Sequence, residues 1–320
     1  MFQKPSGLPR AGVPRVVCFG ECMLELQGQA FGTLRQTFGG DTLNTAVYLA
    51  RRGGAALQVD YATALGDDGF SSGLIERWQA EGVGTALVRR LPGRLPGLYL
   101  IEVDERGERR FSYWRDQAAA RAYFDTADGD TPLEQQAGTI DALYFSGISL
   151  AILPPAGRQR LLALAAQLRR RGAMVAFDNN YRPRLWPDRA TAQAAFSDAT
   201  AVASLALMTL DDEQALWQQP DADAQLAATL ALPCDEVVVK RGAQPTLVRS
   251  GAAAVVVVPT QPVAQVVDTT AAGDSFAGAY IAARLTGASA AQAAAAGNRL
   301  AAVVVQHRGA LVPLDVMPAD

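Results

Sequence analysis

A carboxylate and a run of small residues share the stretch Asp268-Thr-Thr-Ala-Ala-Gly-Asp-Ser-Phe276. A β-branched segment with Val263, Val266 and Val267 precedes it, and an Ala-rich segment runs on from Phe276 to Leu285. The small residues are therefore predicted to sit where a strand turns into a helix. The first N–H groups of a helix have no partner there, and the helix dipole favours negative charge. Ala271, Ala272 and Gly273 keep side chains clear, so a phosphate can reach those amides. Asp274 would repel such a phosphate unless its carboxylate serves a second reactant, for example by taking the proton from an attacking hydroxyl. The same residues also suit a helix cap or a first-turn acid, and both readings stay open at this level.

A second polar cluster, Phe38-Gly-Gly-Asp-Thr-Leu-Asn44, opens the first long helical segment. Paired glycines, Gly39 and Gly40, let a backbone approach a ligand closely, and Asp41 and Asn44 offer polar groups at the helix mouth. An ordinary cap by Asp41 or Thr42 explains part of this pattern.

The elements that must position these residues follow from the hydrophobic pattern of the 320-residue chain. Val16 to Phe19, Val59 to Leu65, Ala142 to Phe145, Met174 to Phe177, Ala201 to Met208 and Val237 to Val239 read as strands. Asp41 to Arg52, Phe70 to Ala80, Gly157 to Arg171, Asp211 to Trp217, Ala222 to Leu230, Gly273 to Leu285 and Ala290 to Gln306 read as helices, the last capped by Ser289. Leu98 to Val103 and Arg110 to Trp114 flank Asp104-Glu-Arg-Gly107, a hairpin signal for a small β-element added to the main unit. The β-α-β-α order predicts a mainly parallel sheet covered on both faces, with ligands beyond the carboxyl ends of its strands. Gly20, Asn180, Lys240 and Asp268 all follow strand-like runs and are expected to share one crevice.

Composition narrows the function classes. Apolar residues make up 49%, charged residues 19%, and the net charge is −3, so nothing favours nucleic acid or an anionic membrane as partner. Cys18, Cys22 and Cys234 are scattered and His307 is the only histidine, which argues against a disulfide framework or a zinc site. The start lacks an apolar core of signal-peptide length and reads as a disordered tail over residues 1–14, and no apolar run is long enough to span a membrane. A soluble cytoplasmic protein is expected. Lysine occurs only at Lys4 and Lys240, which makes Lys240 conspicuous.

Two separated motifs resemble the PfkB-type, or ribokinase-like, carbohydrate kinase family. Gly39-Gly40-x-x-x-Asn44 looks like its sugar-side signature, and Asp268-Thr-Thr-Ala-Ala-Gly-Asp274 like its carboxyl-terminal one, with Ala271 where that family usually has Gly. Gly66-Asp67-Asp68-x-Phe70 also fits, and the resemblance spans roughly Val16 to Val312. Gly20-Glu-Cys-Met-Leu-Glu25, Arg94-Leu-Pro-Gly-Leu-Tyr99, Tyr113-Trp-Arg115 and Asp178-Asn-Asn-Tyr-Arg-Pro-Arg-Leu-Trp186 are similar to the branch that phosphorylates 2-keto-3-deoxygluconate.

The resemblance implies an α/β fold: a three-layer sandwich over residues 15–320 with a mostly parallel central sheet and a small β-lid from about 22–38 and 88–122. It implies ATP and Mg²⁺ as cofactors and transfer to the terminal hydroxyl of a sugar acid, with Asp274 as base. A sugar acid needs a cation for its carboxylate, and an Arg supplies planar paired donors. Arg115 and Arg182 are the candidates, with Tyr99 and Tyr113 beside them, although Arg115 also suits an exposed strand and the tyrosines the lid core. Lys240, Arg241 and Gly242 fall where the family contacts ATP, or form an ordinary basic turn; Asn180 and Asn298 are placed with the nucleotide. Asp211-Asp-Glu-Gln214 replaces the family's Asn-x-x-Glu motif, so no metal ligand is assigned. Fructokinase or ribokinase is the nearest alternative among kinases, and a non-catalytic sugar-binding protein the alternative outside enzymes. A dinucleotide-dependent oxidoreductase is disfavoured because no GxGxxG follows the first strand. The apolar hairpin suits either a contact in a homo-oligomer or packing over substrate.

Overall fold

The computed structural model describes residues 12–29, 31–103, 109–127 and 129–318. The expected tail falls largely outside them, as does the turn expected at Asp104–Gly107.

In chain order the strands are β1 (Arg15–Phe19), β2 (Met23–Gly28), β3 (Leu34–Gly39), β4 (Gln58–Leu65), β5 (Val88–Arg90), β6 (Gly97–Val103), β7 (Arg109–Trp114), β8 (Ala142–Ser146), β9 (Met174–Asp178), β10 (Leu205–Thr209), β11 (Glu236–Arg241), β12 (Gln244–Ser250) and β13 (Val256–Val258). The helices are α1 (Asp41–Gly53), α2 (Gly69–Ala80), α3 (Pro132–Gln135), α4 (Gly147–Ile152), α5 (Pro155–Arg170), α6 (Arg189–Val202), α7 (Leu210–Trp217), α8 (Ala222–Leu230), α9 (Ala272–Leu285) and α10 (Ala290–Val304).

Nine strands form the main sheet in the order β13-β12-β11-β10-β9-β8-β1-β4-β5. Pairing is parallel from β5 to β11, and β12 and β13 add an antiparallel edge. Strands buried on both faces read as near-continuous apolar runs, because each face needs its own cover. In β1 the alternation is direct. Val17 and Phe19 join the core beneath α4, α5 and α6, whereas Val16 and Cys18 join the core beneath α1, α9 and α10. This is the three-layer α/β sandwich expected from the β-α-β-α order.

A separate four-stranded sheet, ordered β3-β2-β6-β7, stands over the carboxyl ends of the main sheet as a lid. Its outer pairs are antiparallel and its central β2–β6 pair is parallel. Residues 88–90 belong instead to the main sheet, where β5 pairs with β4. Two further expectations from the sequence are corrected. The segment with Val263, Val266 and Val267 forms no strand; the chain from Pro259 to Thr269 is irregular, with Val266 and Val267 exposed. The strand expected from Ala201 starts only at Leu205, because Ala201 and Val202 close α6, a helix not anticipated at all. The β12–β13 edge was likewise not anticipated.

Candidate active site

The lid and the carboxyl ends of β9, β10 and β11 enclose a cleft of about 930 Å³. Of the residues singled out from the sequence, Gly39, Gly40, Asp41, Asn44, Tyr99, Tyr113, Arg115, Asn180, Arg182, Lys240, Ala271, Ala272, Gly273 and Asp274 line it. Residues from opposite ends of the chain thus meet in one crevice, as the strand order requires.

Its floor is built by two helix starts. Ala271 is the N-cap of α9, in left-handed backbone (φ 60°), and makes no side-chain cap bond. Ser275 is the first amide to bond back, to the Ala271 carbonyl, and the Ala272 amide donates to the Thr269 carbonyl. The amides of Gly273 and Asp274 therefore have no backbone partner among the described residues, and such a helix mouth suits an anion. Ala272, expected to lend its amide to a phosphate, already uses it within the turn.

Asp274 does not cap the helix. Its Oδ2 accepts a hydrogen bond of 2.8 Å from Asn44 Nδ2 on α1. Burial raises its proton affinity well above the ordinary carboxylate range, and the negative charges of Asp41 and Asp178 add to this. Asn44 Oδ1 is buried without a partner among the described residues, so an incoming hydroxyl would satisfy it. Asp41 does not cap its helix either, since Gly40 is the N-cap of α1 with no side-chain bond. Instead Asp41 Oδ2 accepts from Ser146 Oγ (2.5 Å) and Asn180 Nδ2 (2.7 Å). Asn180 itself is held at φ 27°, a conformation that Asn tolerates better than most residues.

A cation stands beside the α9 mouth. Lys240 Nζ lies 3.6 Å from the position a Cβ on Gly273 would take, and it donates 2.7 Å to Asp178 Oδ2. Lys240 and Asp178 are both buried, and desolvation raises the Asp178 carboxyl despite the lysine. Asp212 also faces the cleft and lies 3.6 Å from Arg182 Nη1; burial raises its carboxyl as well. Glu213 turns away, bonded to Asn179 and Trp217.

The lid supplies Tyr99, Phe111 and Tyr113, with ring centroids 5.8 Å (Tyr99–Tyr113) and 6.3 Å (Phe111–Tyr113) apart. Tyr99 donates its hydroxyl proton to Glu25, so its ring face and oxygen lone pair are what remain for a ligand. Arg115 Nη2 donates to the buried Glu21 carboxylate, so Arg115 is not the free surface arginine of the alternative reading. Arg182, with half its side chain exposed, is the less encumbered cation.

Five expected residues lie elsewhere. Arg241 donates to the Pro245 carbonyl, and Gly242 forms the β11–β12 turn at φ 59°. Asn298 is buried, accepting from Thr246 Oγ1 and donating to the Pro259 carbonyl, so it fastens α10 to the sheet edge. Gly20 and Asp268 do not line the cleft. Gly20 leaves room for Thr42, and Asp268 accepts from Thr270 and from the Gly309 amide. Sequence reasoning missed Asp178, Asp212 and Ser146 as site residues; for the first, a carboxylate closing a strand that runs toward the site was the available signal.

The helix mouth and Lys240 fit the phosphates of a nucleotide. Among the described residues no group of three or more His, Cys, Asp and Glu is gathered to hold a metal. Mg²⁺ usually rests on substrate phosphates with only one or two carboxylates, so Asp212 and Asp178 fit that reduced demand.

Residues 13–317 match the family described as pfkB family carbohydrate kinase. The chain is 50% identical over 307 residues to a 2-dehydro-3-deoxygluconokinase of Dickeya dadantii, covering 95% of this chain and 98% of that one. It is 47% identical over 308 residues to the 2-dehydro-3-deoxygluconokinase of Escherichia coli K12, covering 95% and 99%. Among solved structures, a ribokinase II candidate from E. coli in complex with ATP and Mg²⁺ shares the fold at a TM-score of 0.79, with 24% identity over 95% of this chain and 96% of that one. Shared motifs, shared length and shared fold agree: this chain belongs to the pfkB family of carbohydrate kinases.

Proposed function

We propose that the chain transfers the γ-phosphoryl group of ATP to the terminal hydroxyl of 2-keto-3-deoxygluconate (2-dehydro-3-deoxygluconate), giving 2-keto-3-deoxy-6-phosphogluconate. The observation that carries this reading is the Asp274 carboxylate, bonded to Asn44 and adjoining the Gly273 amide, which has no backbone partner among the described residues, in a cleft also lined by Arg115, Arg182 and Arg184. The names of the relatives from D. dadantii and E. coli support the choice of acceptor.

Asn44 orients Asp274 and offers its own Oδ1 to the acceptor hydroxyl. In its ionised form Asp274 takes the hydroxyl proton as the oxygen attacks, and burial makes that carboxylate a stronger base than an exposed one. The amide of Gly273 and the ammonium of Lys240 meet charge on the transferring phosphoryl group, and those fixed dipoles need no reorganisation during the step. Asp212 and Asp178 would hold Mg²⁺, which would supply charge neutralisation at the phosphates of the nucleotide. Arg182 and Arg115 receive the acceptor's carboxylate, with Tyr99 and Tyr113 packing over its carbon chain. The lid excludes water that would otherwise hydrolyse the nucleotide.

An ADP-release assay over 2-keto-3-deoxygluconate, 2-keto-3-deoxygalactonate, fructose and ribose tests the acceptor. A kcat/KM highest for fructose or ribose would replace this reading with a neutral-sugar kinase. Asp274→Asn is expected to lower kcat by about 10²–10⁴-fold with a small change in KM. Near-wild-type turnover would remove Asp274 from the role.

A further inference from the structure

The lid joins the main unit through four short crossings, and they converge on one residue, Glu21. Glu21 lies in the crossing from β1 to β2, and Gly40 in the crossing from β3 to α1. Gly97 opens β6 and Arg115 follows β7. A Cβ on Gly40 would come within 2.2 Å of the Glu21 carbonyl, and one on Gly97 within 2.7 Å of Glu21 Oε1. The chain thus clears space at two crossings for Glu21, while the last crossing supplies its partner, Arg115.

Glu21 is 2% exposed and does not line the cleft, whereas Arg115 does. Burying an ion pair rarely adds net stability over apolar residues of similar size, so a stabilising role alone explains this arrangement poorly. A guanidinium carries five N–H donors, and the Glu21 carboxylate engages it at Nη2. Arg115 Nε and Glu21 Oε1 remain without partners among the described residues, so the pair is not saturated. A long arginine side chain otherwise samples many rotamers.

We propose that Glu21 is a positioning residue for acceptor recognition: it fixes Arg115 at the cleft wall with its remaining donors turned to the carboxylate of an anionic sugar. The proposal rests on the sugar-acid reading above. Glu21 reaches the acceptor only through Arg115, so its effect must vanish when Arg115 is removed.

The test is a double-substitution cycle on the full-length enzyme, reading KM for 2-keto-3-deoxygluconate and KM for ATP separately. Glu21→Ala is expected to raise the sugar-acid KM by about 10–100-fold, the usual effect of losing a side chain that orients a binding group. The KM for ATP should stay within about twofold, as its phosphates meet other residues. Glu21→Gln, whose amide oxygen still accepts from Arg115, should recover most of the affinity. In an Arg115→Ala background, Glu21→Ala should add nothing further. Effects that add in the double variant, or an equal rise in both KM values, would overturn the proposal. If Glu21→Ala does not fold, the cycle with Glu21→Gln decides by the same criterion: its smaller rise must disappear in the Arg115→Ala background. Lack of wild-type turnover of the sugar acid would overturn the functional reading, and this proposal with it. Wild-type turnover with an additive cycle would overturn this proposal alone.

Discussion

At Asp274 the fold holds a carboxyl that prefers to keep its proton, through burial and the facing charges of Asp41 and Asp178. The consequence for stability has a definite sign. Below the unfolded value of about pH 4, the group is protonated in both states and contributes nothing. As the pH rises through that value the unfolded chain ionises first, so folded stability is lost until the raised folded value is passed. Asp274→Asn should therefore melt at a higher temperature than the wild type at about pH 8, with the advantage shrinking toward about pH 4. Scanning calorimetry across that range measures it, and an advantage independent of pH would contradict the electrostatic account. Ala271 adds a second case. Left-handed backbone costs a residue with a Cβ about 1–2 kcal/mol, partly offset by the entropy that glycine loses on folding. Ala271→Gly should stabilise the protein by about 0.5–1 kcal/mol in urea unfolding, and a destabilised variant would show that the turn is relaxed as it stands. Both residues were legible in the sequence because they sit inside one short motif. Ser146, bonded to Asp41 across 105 positions, was not, since only the tertiary fold brings the two together.

Elements with a strong period or a strong boundary were read closely. Helix α1 begins at Asp41 and α8 spans Ala222–Leu230, as expected from their patterns. Strand β10 was misread because a short apolar run carries no period of its own; Ala201 and Val202 look alike whether they end a helix or begin a strand. Val266 and Val267 have strand-forming side chains, but the segment makes no ladder and leaves both exposed. Propensity describes a side chain that suits a pleated surface, and no such surface receives these two. The glycine pair was read as room for a ligand. Both residues do line the cleft, yet the nearest claimants to their space are Glu21 and Tyr99. Gly40→Ala must therefore push β3 away from the β1–β2 crossing. It should cost about 1–3 kcal/mol, as overpacking does, and should raise the sugar KM more than the ATP KM. An unchanged melting curve would mean the crossing yields without strain.

Across the whole molecule, Lys240 on β11 and Asp178 on β9 reach over β10 to bond behind the α9 mouth. Lys240→Met would leave a buried carboxylate uncompensated, at about 3–5 kcal/mol, and would raise the KM for ATP. Adding Asp178→Asn should restore much of the stability but not the nucleotide affinity, and recovery of both would deny Lys240 any contact with phosphate. The site residues divide between the two sheets. Asp41, Asn44, Lys240 and Asp274 are fixed entirely by the main sheet and its helices, through bonds to Ser146, Asn180 and Asp178. Tyr99, Phe111 and Tyr113 belong to the four-stranded flap. On the proposed reading, the groups for phosphoryl transfer belong to the main unit, while those that receive the acceptor are shared between the flap and Arg182, which follows β9. Grafting the flap segments of a relative that accepts neutral sugars, together with replacement of Arg182, should yield a chimera with a new preference and an intact reaction centre. In such a lineage, new diets would be acquired by editing the flap, its junctions and the loop that carries Arg182, while the reaction centre beneath is inherited unchanged.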